Sequence, residues 1–329
     1  MKYAKLATLL LMFVCYTALG QNKSESQAPN KMVRAIIQDK KGNIWLAGAD
    51  GITRYDGKSF SNTITKIKPA RFFSALEDRK ENLWFTAVGS GVYHYKGESF
   101  KNYTTKDGLL SDLVTNAYED KTGGIWFGSE LGASRYDGKT FRNFKMNEQA
   151  GGDNGGGGDS VHVSGYQQDN DVNTIIEDNT GKFWFGTRGN TFTYDGKTFT
   201  RITHKDEKAF TNVRSIIKDK KGNIWLGGNG GLWRYDGNTF TNITPKFVGN
   251  IMEDKKGNIW TSSESALNKN WALTRYDQNS LSGNKLVGTE VLSIKGMLFG
   301  LLEANDGSIW VGALNGVYRY DGTNVTDFK

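Results

Sequence analysis

Residues 213–240 read VRSIIKDKKGNIWLGGNGGLWRYDGNTF, and the pattern in this stretch recurs seven times along the chain. Its first half follows approximately I-x-E-D-x-x-G-x-I-W-[FLV]-G, and its second half follows G-[hydrophobic]-x-R-Y-D-G-[KN]-x-F. The tryptophans of the seven copies are Trp45, Trp84, Trp126, Trp184, Trp225, Trp260 and Trp310. Their spacings of 39, 42, 58, 41, 35 and 50 residues bracket the usual length of a four-stranded blade. The sequence therefore predicts an all-β fold, a seven-bladed β-propeller of four-stranded antiparallel blades.

Each copy divides into four predicted strands separated by turns that contain Asp and Gly. In the first copy the predicted strands are Val33 to Gln38, Ile44 to Ala47, Ile52 to Tyr55 and Ser59 to Asn62. The turn from Asp39 to Asn43 and the Asp56-Gly57 pair supply residues that tolerate positive φ in tight hairpins. A residue that recurs in every copy serves every blade, so we expect the tryptophans to pack between blades.

A recurring arginine precedes the Tyr-Asp-Gly turn in five copies. These residues are Arg54, Arg135, Arg234, Arg275 and Arg319, whereas His94 and Thr193 occupy the position in the other two. We expect the arginines to pair with carboxylates of the repeat such as Glu119, Glu253 or Glu303.

Residues 1–20 have the features of a secretory signal peptide. Lys2 and Lys5 give a basic start, residues 6–19 are mostly apolar, and Ala18-Leu19-Gly20 forms a small-x-small cleavage site. An uncleaved anchor is the alternative, although the apolar run is shorter than the ~20 residues that span a bilayer comfortably. The predicted organisation is a signal peptide at 1–20, a linker at 21–31 and the propeller at 32–329, and we expect a periplasmic or secreted protein without a membrane span after cleavage.

Composition excludes several classes of protein. Cys15, the only cysteine, lies inside the predicted signal peptide, so the mature chain would have no disulfide and no thiolate chemistry. Bulky Val14 before Cys15 argues against lipidation. Loss of Lys2 and Lys5 lowers the formal net charge from +7 to +5, with 40 basic and 35 acidic side chains intermixed. Without a basic patch, nucleic-acid binding has little support.

The motif D-x-x-G-x-[IL]-W-x-G followed by Y-D-G resembles the regulator-propeller repeat of bacterial two-component sensors, over residues 32–329. The resemblance implies a periplasmic sensory module of the kind found in hybrid histidine kinases, which often sense carbohydrate. Proteins of that family usually carry two propellers and a further all-β domain, whereas this sequence shows one ring and no kinase or DNA-binding segment. The resemblance therefore favours a sensor without its own output domain.

One position of the repeat is chemically varied. It lies eleven residues before each tryptophan, at the start of the predicted innermost strand, and holds Arg34, Phe73, Thr115, Asn173, Arg214, Gly249 and Phe299. Arginine and asparagine can bind an anion or a sugar through hydrogen bonds, and phenylalanine can stack on an apolar sugar face. We predict a ligand site at this channel mouth, and the alternative is that these are merely exposed strand ends.

The loops that follow the tryptophan strands lie on the same predicted face as this channel mouth. They carry further candidates for ligand or partner binding, namely Asp50, Glu130, Arg188, Asn229, Lys269, Asn270, Trp271 and Asn315. Trp271 lies outside the repeat register in a long loop of the sixth copy. It is predicted either to bind a flat apolar surface or to pack within its own loop.

A glycine-rich insertion at 147–171 accounts for the spacing of 58 residues between the third and fourth tryptophans. Residues 151–159 resemble a calcium-binding turn only weakly, because such turns work in stacked series, and Asp169 and Asp171 do not change that. We predict a flexible loop there. No metal or other cofactor is expected.

The sequence gives little support for catalysis. His94, His162 and His204 fall on a strand, in the insertion and in an interblade link, and no hydrolase or phosphate-binding motif is present. Streptogramin lyases share D-x-x-G-x-[IL]-W on a seven-bladed ring, but their catalytic histidine pairing has no counterpart here. Three hypotheses follow, in order: an exported module that binds or senses a small molecule or glycan, an interaction platform for an envelope protein, and a lyase-like enzyme.

Overall fold

Seven four-stranded antiparallel sheets follow one another along the chain in the computed structural model, which describes residues 28–62, 70–97, 99–147, 168–279 and 287–328. Each sheet pairs four strands that are consecutive in sequence, so each repeat forms one blade. The predicted seven-bladed β-propeller is therefore confirmed. The predicted signal peptide and most of the linker lie outside the described residues.

The strands of blades 1 to 4 have the following bounds. They are β1 (Val33–Gln38), β2 (Ile44–Gly48), β3 (Gly51–Tyr55), β4 (Phe60–Asn62), β5 (Arg71–Glu77), β6 (Leu83–Val88), β7 (Gly91–Lys96), β8 (Ser99–Tyr103), β9 (Val114–Glu119), β10 (Ile125–Ser129), β11 (Gly132–Tyr136), β12 (Phe141–Phe144), β13 (Val172–Glu177), β14 (Phe183–Thr187), β15 (Thr191–Tyr194) and β16 (Phe199–Arg201). In blade 1 they agree with the sequence prediction to within one residue at each end.

Blades 5 to 7 are built in the same way. Their strands are β17 (Val213–Lys218), β18 (Ile224–Gly228), β19 (Gly231–Tyr235), β20 (Phe240–Thr244), β21 (Val248–Glu253), β22 (Ile259–Glu264), β23 (Trp271–Tyr276), β24 (Thr289–Ile294), β25 (Leu298–Glu303), β26 (Ile309–Ala313), β27 (Gly316–Tyr320) and β28 (Val325–Asp327). Short 3-10 turns at Thr105–Asp107 and Lys205–Glu207 lie in two of the interblade links.

The first strands of neighbouring blades lie side by side around the channel. Within a blade the second strand runs antiparallel to the first, as in the pairing of Val33 with Gly48, so the loops after second strands lie where first strands begin. We call this end of the ring the upper face. The Asp-x-x-Gly and Tyr-Asp-Gly turns lie at the opposite end, because each follows a strand that runs away from the upper face.

The recurring tryptophan packs against the next blade. Trp45 contacts Phe85 and Tyr95 of blade 2 with ring centroids 5.9 and 5.5 Å apart, and Trp126 contacts Phe185 of blade 4 at 5.7 Å. These indoles are almost fully buried. The predicted packing between blades is therefore confirmed, and it buries the largest apolar side chains of the repeat.

A hydrogen bond inside each blade holds the tryptophan in place. In blades 1 to 6 the indole N–H donates to the aspartate six residues earlier, over 2.8–2.9 Å, as from Trp126 to Asp120. The same carboxylate accepts the backbone N–H of Gly124, which closes the turn. Burial alone would raise the pKa of Asp120, but hydrogen bonds from Arg135, Thr122, Gly124 and Trp126 lower that pKa to about 2.

In blade 7 the tryptophan N–H has a different hydrogen-bond acceptor. Ala304 stands where the other blades have the aspartate, and the indole N–H of Trp310 donates instead to the hydroxyl of Ser308 over 3.2 Å. Because a buried N–H without an acceptor is costly, a hydroxyl replaces the missing carboxylate at this position.

The repeat glutamates bridge neighbouring blades instead of pairing with the repeat arginines. The carboxylate of Glu119 accepts the backbone N–H of Arg79 in the preceding blade over 2.9 Å. Glu77, Glu177, Glu253 and Glu303 make the equivalent bond, and Gln38 does so between blades 7 and 1. Arg135 meets a repeat carboxylate, as predicted, but the partner is Asp120 of its own blade and not one of the glutamates. Arg319 likewise pairs with Asp306 of its own blade.

The seam between blades 4 and 5 departs from this pattern. Lys218 ends the first strand of blade 5, where the other blades have glutamate or glutamine, so the side chain cannot accept the N–H of Asn179. Among the described interfaces, this seam lacks the carboxylate or amide bridge.

The ring closes by packing blade 1 on blade 7, without exchange of a strand. Val33 and Leu46 pack with Trp310 and Val317 in one hydrophobic cluster. A single parallel bridge between Met32 and Gly316 adds a backbone contact beside this cluster.

We expect Asp120→Asn to reduce the loss of stability in acid. The folded pKa of Asp120 is about 2, below the unfolded value near 4, so its contribution is present above pH ~4 and is lost as the pH falls towards 2. Urea unfolding of both proteins should show that, between pH 5 and pH 2, the free energy of unfolding of the wild type falls by about 2 kcal/mol more than that of the variant. Parallel pH profiles would contradict this.

We expect Lys218→Glu to stabilise the ring by about 1 kcal/mol, because a charge-assisted hydrogen bond to the Asn179 N–H would complete the seam. Chemical denaturation at pH 7 measures the effect. Lys145→Glu, at an exposed position, makes the same charge change without a bridging partner and should leave the unfolding free energy nearly unchanged. Equal effects of the two substitutions would show that charge alone is responsible.

Candidate functional site

A cavity of about 350 Å³ opens at the upper face of the channel. Each of the seven varied positions identified from the sequence lines it, so the structure brings them together: Arg34, Phe73, Thr115, Asn173, Arg214, Gly249 and Phe299. Arg188 also lines the cavity. Their role in binding stays a prediction, but their convergence on one concave site is a property of the fold.

A backbone irregularity turns these side chains into the channel. In each blade the register between first and second strands shifts at this position, as between Val33 and Ala35 or between Val213 and Ser215. The bulged residue has no partner on the second strand, so its side chain does not follow the alternation between the two faces of the sheet. The varied position is thus the one place in the repeat where packing within the blade imposes least.

Arg34 is the most unusual side chain in the cavity. Its guanidinium lies over the ring of Phe73 at 4.0 Å and over the ring of Phe299 at 4.8 Å. Its Nε is buried without a hydrogen-bond partner. Burial, followed by the charges of Arg214 and Arg71, lowers the pKa of Arg34 to about 10. The group therefore stays charged at neutral pH without a compensating anion.

Phe73 and Phe299 both contact the Arg34 guanidinium. The ring faces that flank the guanidinium are covered by it, through cation–π contacts from two neighbouring blades. Stacking of a sugar on these rings stays a prediction. The two rings fix the direction of the guanidinium.

A second cationic group approaches from blade 5. Nη1 of Arg214 donates to Oδ1 of Asn173 over 3.3 Å, and burial, then the charge of Arg188, lowers the pKa of Arg214. Arg188 pairs with Asp171 over 2.9 Å. Burial raises the pKa of that carboxyl, although the two arginines oppose the shift. No carboxylate is among the described residues that line the cavity.

Thr115 and Asn173 have structural bonds that the sequence did not reveal. The Thr115 hydroxyl donates to the carbonyl of Val172 over 2.7 Å, and the Asn173 amide donates to the carbonyl of Val213 over 3.1 Å. Both bonds cross from one blade to the next. These side chains therefore connect the upper ends of blades 3 to 5 by hydrogen bonds.

Most of the candidate loop residues do not reach the cavity. Asp50 pairs with Lys31 over 2.7 Å, Glu130 accepts the hydroxyl of Ser111, and Asn229 accepts the amide of Asn212. Asn270 donates to the Ser293 hydroxyl over 3.3 Å. Lys269 and Asn315 are exposed on the same face. Of the eight candidates, Arg188 alone lines the cavity within the described residues.

Trp271 begins a strand and does not lie in a loop, which corrects the sequence prediction. It pairs with Glu264 and Ile294 at the upper ends of β22 and β24, which run to six residues each. Its half-buried ring packs edge-to-face on Phe247, a cavity residue, at 5.7 Å. Sequence reasoning missed Phe247 and Met297, which also line the cavity. Both precede the repeat, where the motif fixes no residue type.

The histidines and acidic candidates are dispersed. His94 stacks on Trp84 at 4.0 Å, and burial lowers its pKa although Asp78 opposes the shift. His204 lies against Trp233 at the blade 4–5 link, and His162 lies outside the described residues. The described residues contain no group of three or more His, Cys, Asp and Glu side chains that could hold a metal ion.

Both ends of the glycine-rich insertion are packed. Asp169 accepts the backbone and side-chain N–H groups of Asn190 over 2.8 Å each, and Asn170 accepts the backbone N–H groups of Met146 and Asn147. Residues 148–167, including the glycine run at 151–159, lie outside the described residues. In the part of the chain that is described, no helix is long and apolar enough to cross a membrane.

Solved structures share the fold at low sequence identity. The extracellular domain of a putative hybrid two component system from B. thetaiotaomicron superposes with a TM-score of 0.69 at 19% identity, covering 89% of this chain and 39% of that one. A catalytically inactive virginiamycin B lyase from Staphylococcus aureus, with quinupristin, gives 0.67 at 14% identity, covering 90% of this chain and 96% of that one.

PorZ, a surface component of the type-IX secretion system of Porphyromonas gingivalis, gives a TM-score of 0.60 at 13% identity, covering 86% of this chain and 46% of that one. This chain therefore spans less than half the length of the sensor domain and of PorZ. A comparison with curated proteins gives no match.

The repeat itself is recognised directly in the sequence. Residues 27–50, 166–189 and 208–230 match the family model described as two component regulator propeller. Each matched segment covers the start of a blade, the first strand and the Asp-x-x-Gly turn of blade 1 among them. The chain thus carries regulator-propeller repeats, and the resemblance to regulator propellers that the sequence predicted is confirmed.

Proposed function

We propose that this chain is an exported binding propeller that recognises a small anionic ligand in the cavity at its upper face. The observation that carries the proposal is Arg34, a half-buried cation whose Nε is buried and unpartnered, in a cavity with no carboxylate among its described lining residues. A buried charge is costly unless an opposite charge or hydrogen bonds compensate it. A ligand carboxylate, sulfate or phosphate group would supply both.

The arrangement favours binding over catalysis. Arg34 and Arg214 can hold an anion by charge-assisted hydrogen bonds, and the Phe73 and Phe299 rings limit the directions in which Arg34 can turn. A general acid or base is not among the side chains that line the cavity in the described residues. A sensing role needs only that the bound and free states differ in what the upper face presents to a partner.

Two observations support a location outside the cytoplasm. The first twenty residues have the charge, apolar core and small residues of a signal peptide. A structural neighbour that shares the propeller is described as the extracellular domain of a two component system. Both are consistent with a ligand met in the periplasm or the medium.

An envelope protein is a second candidate partner. Leu131, Leu267 and Leu314 lie in loops of the upper face and are 48%, 82% and 48% exposed. Exposed leucines on one face favour contact with another protein. Leu267→Asp would weaken such a contact and leave anion binding in the cavity intact.

We expect Arg34→Met to leave the melting temperature unchanged or to raise it by ~2–4 °C, because removing a half-buried charge that has no paired carboxylate among the described residues can be worth about 1 kcal/mol. Differential scanning calorimetry measures the change. Arg142→Met is the matched control, since Arg142 also lies over a phenylalanine, Phe144, but is exposed. A melting temperature lowered more by Arg34→Met than by the control would show that Arg34 is a structural residue.

We expect at least one small anion to stabilise the protein through Arg34. A thermal-shift screen would compare acetate, inorganic phosphate, sulfate and glucuronate with neutral glucose. A ligand at 100 times its Kd should raise the melting temperature by roughly 5–10 °C. The shift should vanish in Arg34→Met and Arg214→Met and persist in Arg142→Met. Shifts with glucose alone, or shifts that survive both cavity substitutions, would contradict the proposal.

A further inference from the structure

We infer that the ligand is an organic acid with an apolar body, whose acid group lies between Arg34 and Arg214 and whose body lies against blades 6 and 7. This inference rests on the proposed function and makes it more specific. It follows from an asymmetry of the cavity wall, which a symmetric ring of repeats does not require.

The two cationic residues enclose an apolar sector. Arg34 belongs to blade 1 and Arg214 to blade 5, so blades 6 and 7 lie between them on the shorter arc of the ring. The residue two positions before the varied one differs around the ring. It is Met32, Arg71, Leu113, Asp171 and Asn212 in blades 1 to 5, and Phe247 and Met297 in blades 6 and 7. Of the four apolar residues in this set, Phe247 and Met297 line the cavity, whereas Met32 and Leu113 are not among its described lining residues.

Gly249 leaves a recess in this sector. It occupies the varied position of blade 6, where every other blade has a side chain that points into the channel. A Cβ atom at this position would lie 3.4 Å from the ring of Trp271. The missing side chain therefore leaves room beside the Trp271 ring, next to Phe247.

The apolar sector is open to solvent. Met297 is 37% exposed although it lines the cavity, and the Phe247 and Trp271 rings are half-buried. The repeat tryptophans, which pack between blades, are by contrast at most 4% exposed. Covering apolar surface of this kind favours binding of a hydrocarbon group, because apolar area is removed from water.

The size of the cavity fits a small molecule. Its volume of about 350 Å³ lies near the lower end of ligand pockets, which run from roughly 300 to 1,000 Å³. One acid group and one ring or branched alkyl group can be accommodated together. A free organic acid and the carboxyl-terminal residue of a peptide share this chemistry.

Calorimetric titration of the mature chain with phenylacetate, acetate and 2-phenylethanol tests the inference. We expect phenylacetate to bind about tenfold or more tightly than acetate, since the ring buries apolar surface, and 2-phenylethanol to show no binding. N-acetylphenylalanine and its amide distinguish the peptide source, because only the free carboxylate of the former should bind.

Variants separate the acid site from the apolar sector. Met297→Ser and Gly249→Leu, which remove or fill apolar contact space, should reduce the advantage of phenylacetate over acetate severalfold and leave acetate binding unchanged. Leu314→Ser is the matched control, because Leu314 is exposed on the same face but does not line the cavity, and it should change neither. Arg34→Met should abolish binding of both acids.

The outcomes distinguish this inference from the proposed function. Equal affinities for acetate and phenylacetate, or an advantage that both apolar variants retain, would overturn the inference and leave the anion site standing. If neither acid binds, or if 2-phenylethanol binds as well as phenylacetate, both the inference and the proposed anion site fail.

Discussion

The hydrogen bond from the repeat tryptophan to the repeat aspartate is the interaction on which the ring depends. An indole buried between blades must find an acceptor for its N–H, and the carboxylate of Asp120, for example, provides it while closing the turn between the first two strands. One side chain thus couples turn, strand register and blade packing. Blade 7 shows that the requirement is for an acceptor and not for aspartate itself, because Ser308 supplies it beside Ala304.

This scaffold leaves one position per blade free to vary. The register shift near the start of each first strand releases one side chain from pairing within the blade and directs it into the channel. Seven blades then present seven such residues on one concave wall, although Thr115 and Asn173 also bond to the next blade. Arg34 shows the consequence. No carboxylate is among the described residues that line the cavity, and the rings of Phe73 and Phe299 hold the guanidinium at the cavity.

The sequence predicted the parts of this structure that repeat. Tryptophan spacing predicts the blades, and alignment on Trp45 and its equivalents identifies the residues that meet in the cavity. Contacts between different copies could not be read in the same way, because they depend on which blades are neighbours across the ring. The enclosure of Arg34 by two rings is one such contact. Another is the pairing that places Trp271 in a strand, since the lengthened strands of blade 6 have no counterpart in the repeat pattern.

The proposed anion site at the channel mouth is tested most directly by diffraction from crystals of the protein soaked in bromide. Bromide is a small anion whose anomalous signal locates it without assumptions about ligand chemistry. An anomalous peak in the cavity, at hydrogen-bonding distance from the Arg34 guanidinium and on the side facing Arg214, is the predicted result. Bromide sites confined to other surfaces, with no peak beside Arg34, would contradict the assignment of this cavity as an anion site.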